Sequence, residues 1–472
     1  MSLDEKQICS ECVGEAFLSA KIEKEGKDGA CSYCATTGKV FSLDEMANEI
    51  QITFEEHFYR TASEPSGLEY AMSKESDYDW EREGDRVVDV LENYVEISSK
   101  AAEDIQSILE DRTFDFEAAK MGEENPFGKD AQYAESGVDD RESHAGWTHF
   151  ETSLKTEARY FSRTGEETLR STFDGLAEHK TEDGRPIIVD AGPGLSLAAL
   201  YRARVFQSFA KLEAALKRPD IEIGPPPSAY ATSGRMNAHG ISVFYGATDP
   251  MVALAEIRPP VGSTVVVGRF ELVRPVRLLD VEALRSVYVS GSIFDREFIH
   301  RLARGKFLKW LSQRIVRPVM PDDQPFDYLA TQAIADFLAT DAKPPLDGII
   351  YPSVQGKKGQ CNVVLFHKAA RIQRMDIPKG TRIAASLYNE TEDGPETDYW
   401  VWEEVPPEVT PAPPKPEDFL FSSESLDSID FDAHDYRDAT LKLDVENVKV
   451  HHVNAISFTT EDYPVRRHRT KK

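Results

Sequence analysis

Apolar residues recur every three or four positions through residues 43–180, and this spacing predicts helices there. Val87, Val88, Leu91, Tyr94, Val95, Ala102, Ile105 and Leu109 make one stripe. Trp147, Phe150, Leu154, Ala158 and Phe161 make a second, and Leu169, Phe173 and Leu176 a third. Such stripes are helix-bundle core rather than a cofactor box. Beyond residue 185 the pattern changes. Short β-branched runs at 186–189, 241–246, 264–270, 348–351 and 362–366 predict strands. They alternate with helical patterns at 200–216, 250–257, 295–315 and 328–338, so the expected fold class is α+β. Residues 406–416 hold six prolines and predict an extended linker running into an acidic stretch at 417–438. Alternation resumes at 441–458 through Leu441, Leu443, Val448 and Val450, as in a strand returning to the sheet. The chain ends in a basic tail, Arg466-Arg467-His468-Arg469-Thr470-Lys471-Lys472.

Four of the five cysteines lie in the first 34 of 472 positions, as Cys9-x2-Cys12 and Cys31-x2-Cys34. Two such pairs, 18 residues apart, match a four-thiolate zinc site. Four thiolates leave no open position for water, so the zinc is expected to be structural. The organisation read from these signals is a zinc knuckle at 1–42 and a helical domain at 43–185. An α+β catalytic domain at 186–376, an acidic Pro-rich linker at 377–440, and strands with a basic tail at 441–472 follow.

Charge narrows the partners. The formal net charge is −27, which argues against a nucleic-acid coat or an anionic-membrane binder. It is uneven: residues 41–150 hold 29 Asp/Glu against 9 Lys/Arg, whereas 197–375 hold 16 against 24. The mildly basic middle suits a small anion such as a phosphate ester. No apolar run reaches the ~20 residues of a membrane helix, and Met1-Ser2-Leu3-Asp4-Glu5-Lys6 does not read as a secretory leader. The expected location is the cytoplasm.

Asp190-Ala191-Gly192-Pro193-Gly194 imitates the opening of a dinucleotide-binding turn. Leu197 occupies the position that needs a small residue, so that reading fails. A better group lies between Gly234 and Gly359. Arg235 and Asn237 sit in a turn-rich loop from which a guanidinium can grip a diphosphate bidentately. Tyr245 shares a strand face with Ile241 and Val243. Asp249-Pro250 opens a helix, and Pro259-Pro260 must end it. Glu256 therefore falls in the last turn, where the helix dipole opposes a carboxylate. Ser353 ends a strand and opens the loop Val354-Gln355-Gly356-Lys357-Lys358-Gly359, whose N–H groups and lysines can approach phosphate. Arg202 and Arg204 precede this group.

Taken together, Gly234-Arg235-Met236-Asn237, Ser242-Val243-Phe244-Tyr245, Ala253-Leu254-Ala255-Glu256, Asp347-Gly348-Ile349-Ile350-Tyr351-Pro352-Ser353 and Asn362-Val363-Val364-Leu365-Phe366 resemble a RES domain, named for an arginine, a glutamate and a serine. The resemblance spans residues 200–368. The preceding zinc pairs and helices are similar to the HEPN-like extension of some RES proteins. The resemblance implies a fold related to ADP-ribosyltransferases, with NAD as substrate. It also implies a toxin whose partner is an antitoxin or other regulatory protein. The chemistry it implies is hydrolysis, phosphorolysis or ADP-ribosyl transfer at the nicotinamide–ribose bond. The implied catalytic residues are Arg235 on the diphosphate, Tyr245 against nicotinamide or ribose, Glu256 on the oxocarbenium-like ribose and Ser353 on phosphate or ribose. Arg202 and Asn237 are implied as further substrate contacts. The long extension, the basic insertion at 295–317 and the acidic C-terminal region depart from the compact family form.

Two other readings remain. One is a HEPN-type ribonuclease, which needs an arginine followed by a histidine after four to six residues. The nearest pair here, Arg141 and His149, has seven between them. The other is a non-catalytic, zinc-stabilised interaction protein that only binds nucleotide.

Overall fold

In the computed structural model, which describes residues 3–75, 79–357, 359–391, 394–407, 435–457 and 460–469, the apolar stripe of residues 87–109 is broken in two. Glu96 takes a left-handed backbone (φ 55°) and Ser98 caps a new start, so helices Val87–Tyr94 and Ser99–Thr113 replace one continuous element. Both keep their apolar faces inward: Val87, Leu91, Ala102, Ile105 and Leu109 are fully buried. Ser42 and Glu45 form a reciprocal capping box on helix Leu43–His57. The helices share a core with Ile8, Leu18 and Ile22 of the cysteine-bearing segment. That segment is a three-stranded sheet of Gln7–Cys9, Thr37–Ser42 and Lys27–Ala30. A second small sheet pairs Phe58–Arg60 and Asp85–Arg86 with Gln132–Glu135, so this region is not purely helical.

The described chain divides into two compact units, Met1–Ala145 with Tyr288–Phe307, and Gly146–Val287 with Leu308–Lys472. Among the described residues no helix is long and apolar enough to cross a membrane.

The second unit is built on nine strands: β1 (Ile188–Ala191), β2 (Ala199–Phe206), β3 (Phe244–Ala247), β4 (Thr264–Leu272), β5 (Val276–Asp280), β6 (Gly348–Pro352), β7 (Cys361–Leu365), β8 (Ile372–Gln373) and β9 (Leu441–His452). Their order is β8-β9-β4-β2-β3-β7-β6-β5-β1. Neighbours are antiparallel except β5–β6 and β8–β9. The return of the C-terminal alternation to the sheet is β9, paired along β4.

Several sequence expectations are corrected here. Residues 199–206 are strand, and only Phe209–Lys217 is helix. Leu200 and Phe206 are buried in the core on one side of β2, while Ala203 packs on the other, the period-two pattern of a strand with both faces covered. Helix Arg141–Thr156 buries Trp147, Phe150 and Leu154, but Phe161 lies beyond its end and is 96% exposed. Residues Arg382–Thr391 and Gly394–Glu404, inside the expected linker, form a β-hairpin. The remainder of that linker from 408 to 434, Lys358 and residues 470–472 lie outside the described residues. The Asp190–Gly194 stretch leads from β1 to β2 rather than into a helix, as its failed fingerprint predicts.

Candidate active site

Strand register brings the site together. On β7, Val364 faces Tyr245 of β3 and Ile349 of β6, and Asn362 faces Ala247 and Tyr351. Residues directly opposite, or two apart, project to the same side. Tyr245, Tyr351 and Asn362 therefore share one face, while Phe244, Val363 and Leu365 turn into the core on the other. The helix Pro250–Glu256 covers the first face, with Val252 and Ala253 packed on Ala247. Its limits are those the capping signals predict. Asp249 accepts from the N–H groups of Met251 and Val252, Pro250 is the first helical residue, and Arg258 leaves with φ 44°.

Glu256, in the last turn, is solvent-exposed, yet one oxygen is firmly held. Ser353 Oγ donates to Glu256 Oε1 at 2.8 Å, and Asn362 Nδ2 donates to the same atom at 2.7 Å. Both donors are buried, at 9% and 6% exposure. Ser353 Oγ also accepts from the Gln355 N–H at 3.1 Å, which ties it to the following loop. Oε2 takes no hydrogen bond among the described residues. A carboxylate held in this way is suited to meet developing positive charge.

The arginine loop is pinned from two sides. Tyr245 donates to Asn237 Oδ1 at 2.9 Å and accepts from the Met236 N–H at 3.0 Å. Burial pushes the Tyr245 hydroxyl up to about 12, so it stays protonated. Asn237 Nδ2 is spent on the carbonyls of Thr232, Ala238 and Ile241. Gly234 fits because a Cβ there would lie 2.6 Å from both the Tyr245 hydroxyl and Asn237 Oδ1. From helix Gln324–Thr340, Thr331 donates to the Arg235 carbonyl and Gln332 to the Gly234 carbonyl. The Arg235 guanidinium donates to Ile315 O at 2.7 Å and lies 5.2 Å from the Tyr328 ring centre. Its other N–H groups make no hydrogen bond among the described residues.

The structure thus joins Glu256, Ser353 and Asn362 in one group, and Arg235, Asn237 and Tyr245 in an adjoining one. Arg202 meets the second group only through the Tyr245 carbonyl. Register sets Arg202 opposite Gly246, on the core side of the sheet. There it donates to the carbonyls of Ile223 and Tyr245 and lies 5.4 Å from the Phe244 ring. Burial lowers its pKa to about 10, and Arg204 adds to this.

Tyr351, Tyr328, Thr331 and Gln332 are site residues that sequence reasoning missed. Burial raises the Tyr351 hydroxyl's pKa, and Tyr245 and Glu256 raise it further. Alternation in Gly348-Ile349-Ile350-Tyr351 was its available signal. For Thr331 and Gln332 the signal was a polar pair inside the apolar stripe of residues 328–338. A cleft of about 230 Å³ in this unit is lined by Trp147, Leu311, Ile315 and Thr331, the last two bonded to Arg235, but by none of Arg235, Tyr245, Glu256 and Ser353.

In the first unit, the sulfurs of Cys9, Cys12, Cys31 and Cys34 lie within 4.8 Å of one another. Cys9–Cys34 is 3.5 Å and Cys12–Cys31 3.7 Å. A tetrahedron with Zn–S near 2.3 Å has S···S edges of about 3.8 Å, whereas a disulfide is about 2.05 Å. The four cysteines fit a metal centre, and the Tyr33 N–H donates to Cys31 Sγ as it would to a thiolate ligand. Arg141, the arginine of the nuclease reading, is exposed and paired with Asp139.

Residues 199–386 match the family model of the RES domain, and residues 24–168 match that of HEPN/RES N-terminal domain 1. No curated protein and no solved structure matches the chain.

Proposed function

We propose that this chain, whose residues 199–386 match the RES domain and 24–168 the HEPN/RES N-terminal domain 1, consumes NAD by cleaving the nicotinamide–ribose bond, as the RES resemblance implies. The observation that carries this reading is the exposed Glu256 carboxylate, held through Oε1 by Ser353 and Asn362. Nicotinamide departs with the bonding electron pair, which neutralises its pyridinium nitrogen, so the step needs no general acid. The ribose is left oxocarbenium-like, and Oε2 of Glu256 stabilises it as a carboxylate does in a glycosidase. Arg235 holds the diphosphate, from a loop kept in place by Tyr245 and Asn237. Ser353 acts by orienting Glu256. Water, phosphate or a protein side chain then takes the ribose carbon and gives up a proton. The RES domain, in this reading, has an ADP-ribosyltransferase-like fold, the four cysteines hold a structural zinc, and a regulatory partner of the antitoxin class restrains the activity.

Purified protein incubated with NAD is expected to release nicotinamide, and chromatography of the ribosyl product separates hydrolysis, phosphorolysis and protein transfer. No release, with or without phosphate or cell extract, removes the proposal. Arg235→Ala should raise KM for NAD about 10- to 100-fold, the value of one or two charge-assisted hydrogen bonds. Its kcat should change less, because the diphosphate is gripped in ground and transition states alike. Arg235→Lys should recover only part of the affinity, since it keeps the charge and loses the fork. Steady-state kinetics of the two variants checks both statements.

A further inference from the structure

Asn362 stands where a strand core calls for an apolar residue. It is the second residue of β7, flanked by Ala247 on β3 and Tyr351 on β6, and it is 6% exposed. A buried amide is costly unless it is paired. Its Nδ2 points across the sheet face to Glu256 Oε1, 106 positions away in sequence, at 2.7 Å. Glu256 needs such a partner. It sits at a helix C-terminus, where the dipole disfavours negative charge, and its exposed side chain would otherwise wander among rotamers. Ser353 alone would fix a distance. Ser353 and Asn362 together, converging on one oxygen, fix the plane of the carboxylate.

We propose that Asn362 is a positioning residue for Glu256. Its amide commits Oε1 to the protein, so that Oε2 is the oxygen presented to the ribose. The proposal rests on the NAD-cleavage reading for what Oε2 meets, and on the hydrogen-bond geometry for the orientation itself. Asn362 touches no substrate in this account. Its loss should therefore appear in kcat, with KM spared. A role confined to filling the sheet would appear instead in thermal stability.

The test uses the full chain carrying Asn362→Leu, similar in size with no donor, and Asn362→Asp, which sets a second carboxylate against Oε1. Asn362→Leu should lower kcat for nicotinamide release about 10- to 100-fold, with KM within about threefold. In a Glu256→Gln background the same substitution should cost less than about threefold, because the charge it positions is already gone. Equal losses in the two backgrounds, or a folded Asn362→Leu or Asn362→Asp protein with wild-type kcat, overturn the proposal. Should Asn362→Leu fail to fold, Asn362→Asp carries the kinetic test. Crystal structures of the wild type and of whichever variant folds decide the orientation without any substrate. The Glu256 carboxylate should hold one orientation in the first and a changed or multiple orientation in the second. An unchanged carboxylate removes Asn362 from this role whatever the activity. A wild type that releases no nicotinamide removes the NAD reading while leaving the crystallographic answer standing.

Discussion

Glu256→Gln is expected to lower nicotinamide release on the order of 10²- to 10³-fold while leaving the melting temperature within a few degrees of the wild type. The rate term follows from the loss of one preorganised electrostatic contact at a charge that develops only in the transition state. Glutamine keeps an oxygen that can accept from Ser353 and Asn362, so the local hydrogen bonds survive. The stability term follows from position. Glu256 is exposed in the last turn of helix Pro250–Glu256, where the dipole opposes its charge. Removing the charge should be neutral or slightly stabilising. NAD affinity should hold within a few-fold, since Arg235 lies in a separately anchored loop. Thermal melts and steady-state kinetics on one preparation read all three quantities. Wild-type turnover in the variant would take Glu256 out of the chemistry, and with it the oxocarbenium mechanism. A large fall in melting temperature would instead assign Glu256 to the architecture.

The ease with which this site is read from sequence differs residue by residue. The helix bearing Glu256 was legible at both ends because its signals are local: Asp249 caps, Pro250 starts, and Pro259-Pro260 forbid continuation. The cysteine quartet was legible for the same reason, since two ligands come from each tight turn. The partners of the candidate site groups were not. Ser353 was expected on substrate phosphate or ribose, and it donates to a carboxylate 97 positions away. The Arg235 guanidinium reaches a carbonyl 80 positions on. No local pattern encodes such pairings, which depend on strand order and register. Arg202 shows the same limit. The resemblance implied a substrate contact, and a one-residue step along β2 decides between the site face and the core face. The hairpin at 382–404 was hidden by composition, because acidic residues and flanking prolines mask its alternation.

Loss of the metal from the four-cysteine site should damage the first unit more than any single change elsewhere in it. The protein purified under reducing conditions without chelator is expected to carry about one zinc per chain, and Cys9→Ser or Cys31→Ser to carry little. These two cysteines are buried with Val40, and Cys12 and Tyr33 pack both against them and against the core that holds helices Leu43–His57 and Ser99–Thr113. Zinc binding to small four-ligand sites is worth roughly 10–16 kcal/mol, most of it expressed as folding free energy. An entire domain is stable by only about 5–15 kcal/mol. A short three-stranded sheet deprived of its metal therefore cannot hold its place in that core. Chelation or either serine substitution should lower the melting transition of this unit by more than about 10 °C, taking a small domain's shift of several degrees per kcal/mol. Glu256, Arg235 and Ser353 all belong to the second unit. Nicotinamide release by the fraction that stays folded should therefore persist. Metal analysis and calorimetry, run beside the turnover assay, separate these outcomes. Zinc-free native protein with the same melting profile as its serine variants would contradict the metal site. Loss of turnover without loss of folding would contradict a purely structural role for the zinc.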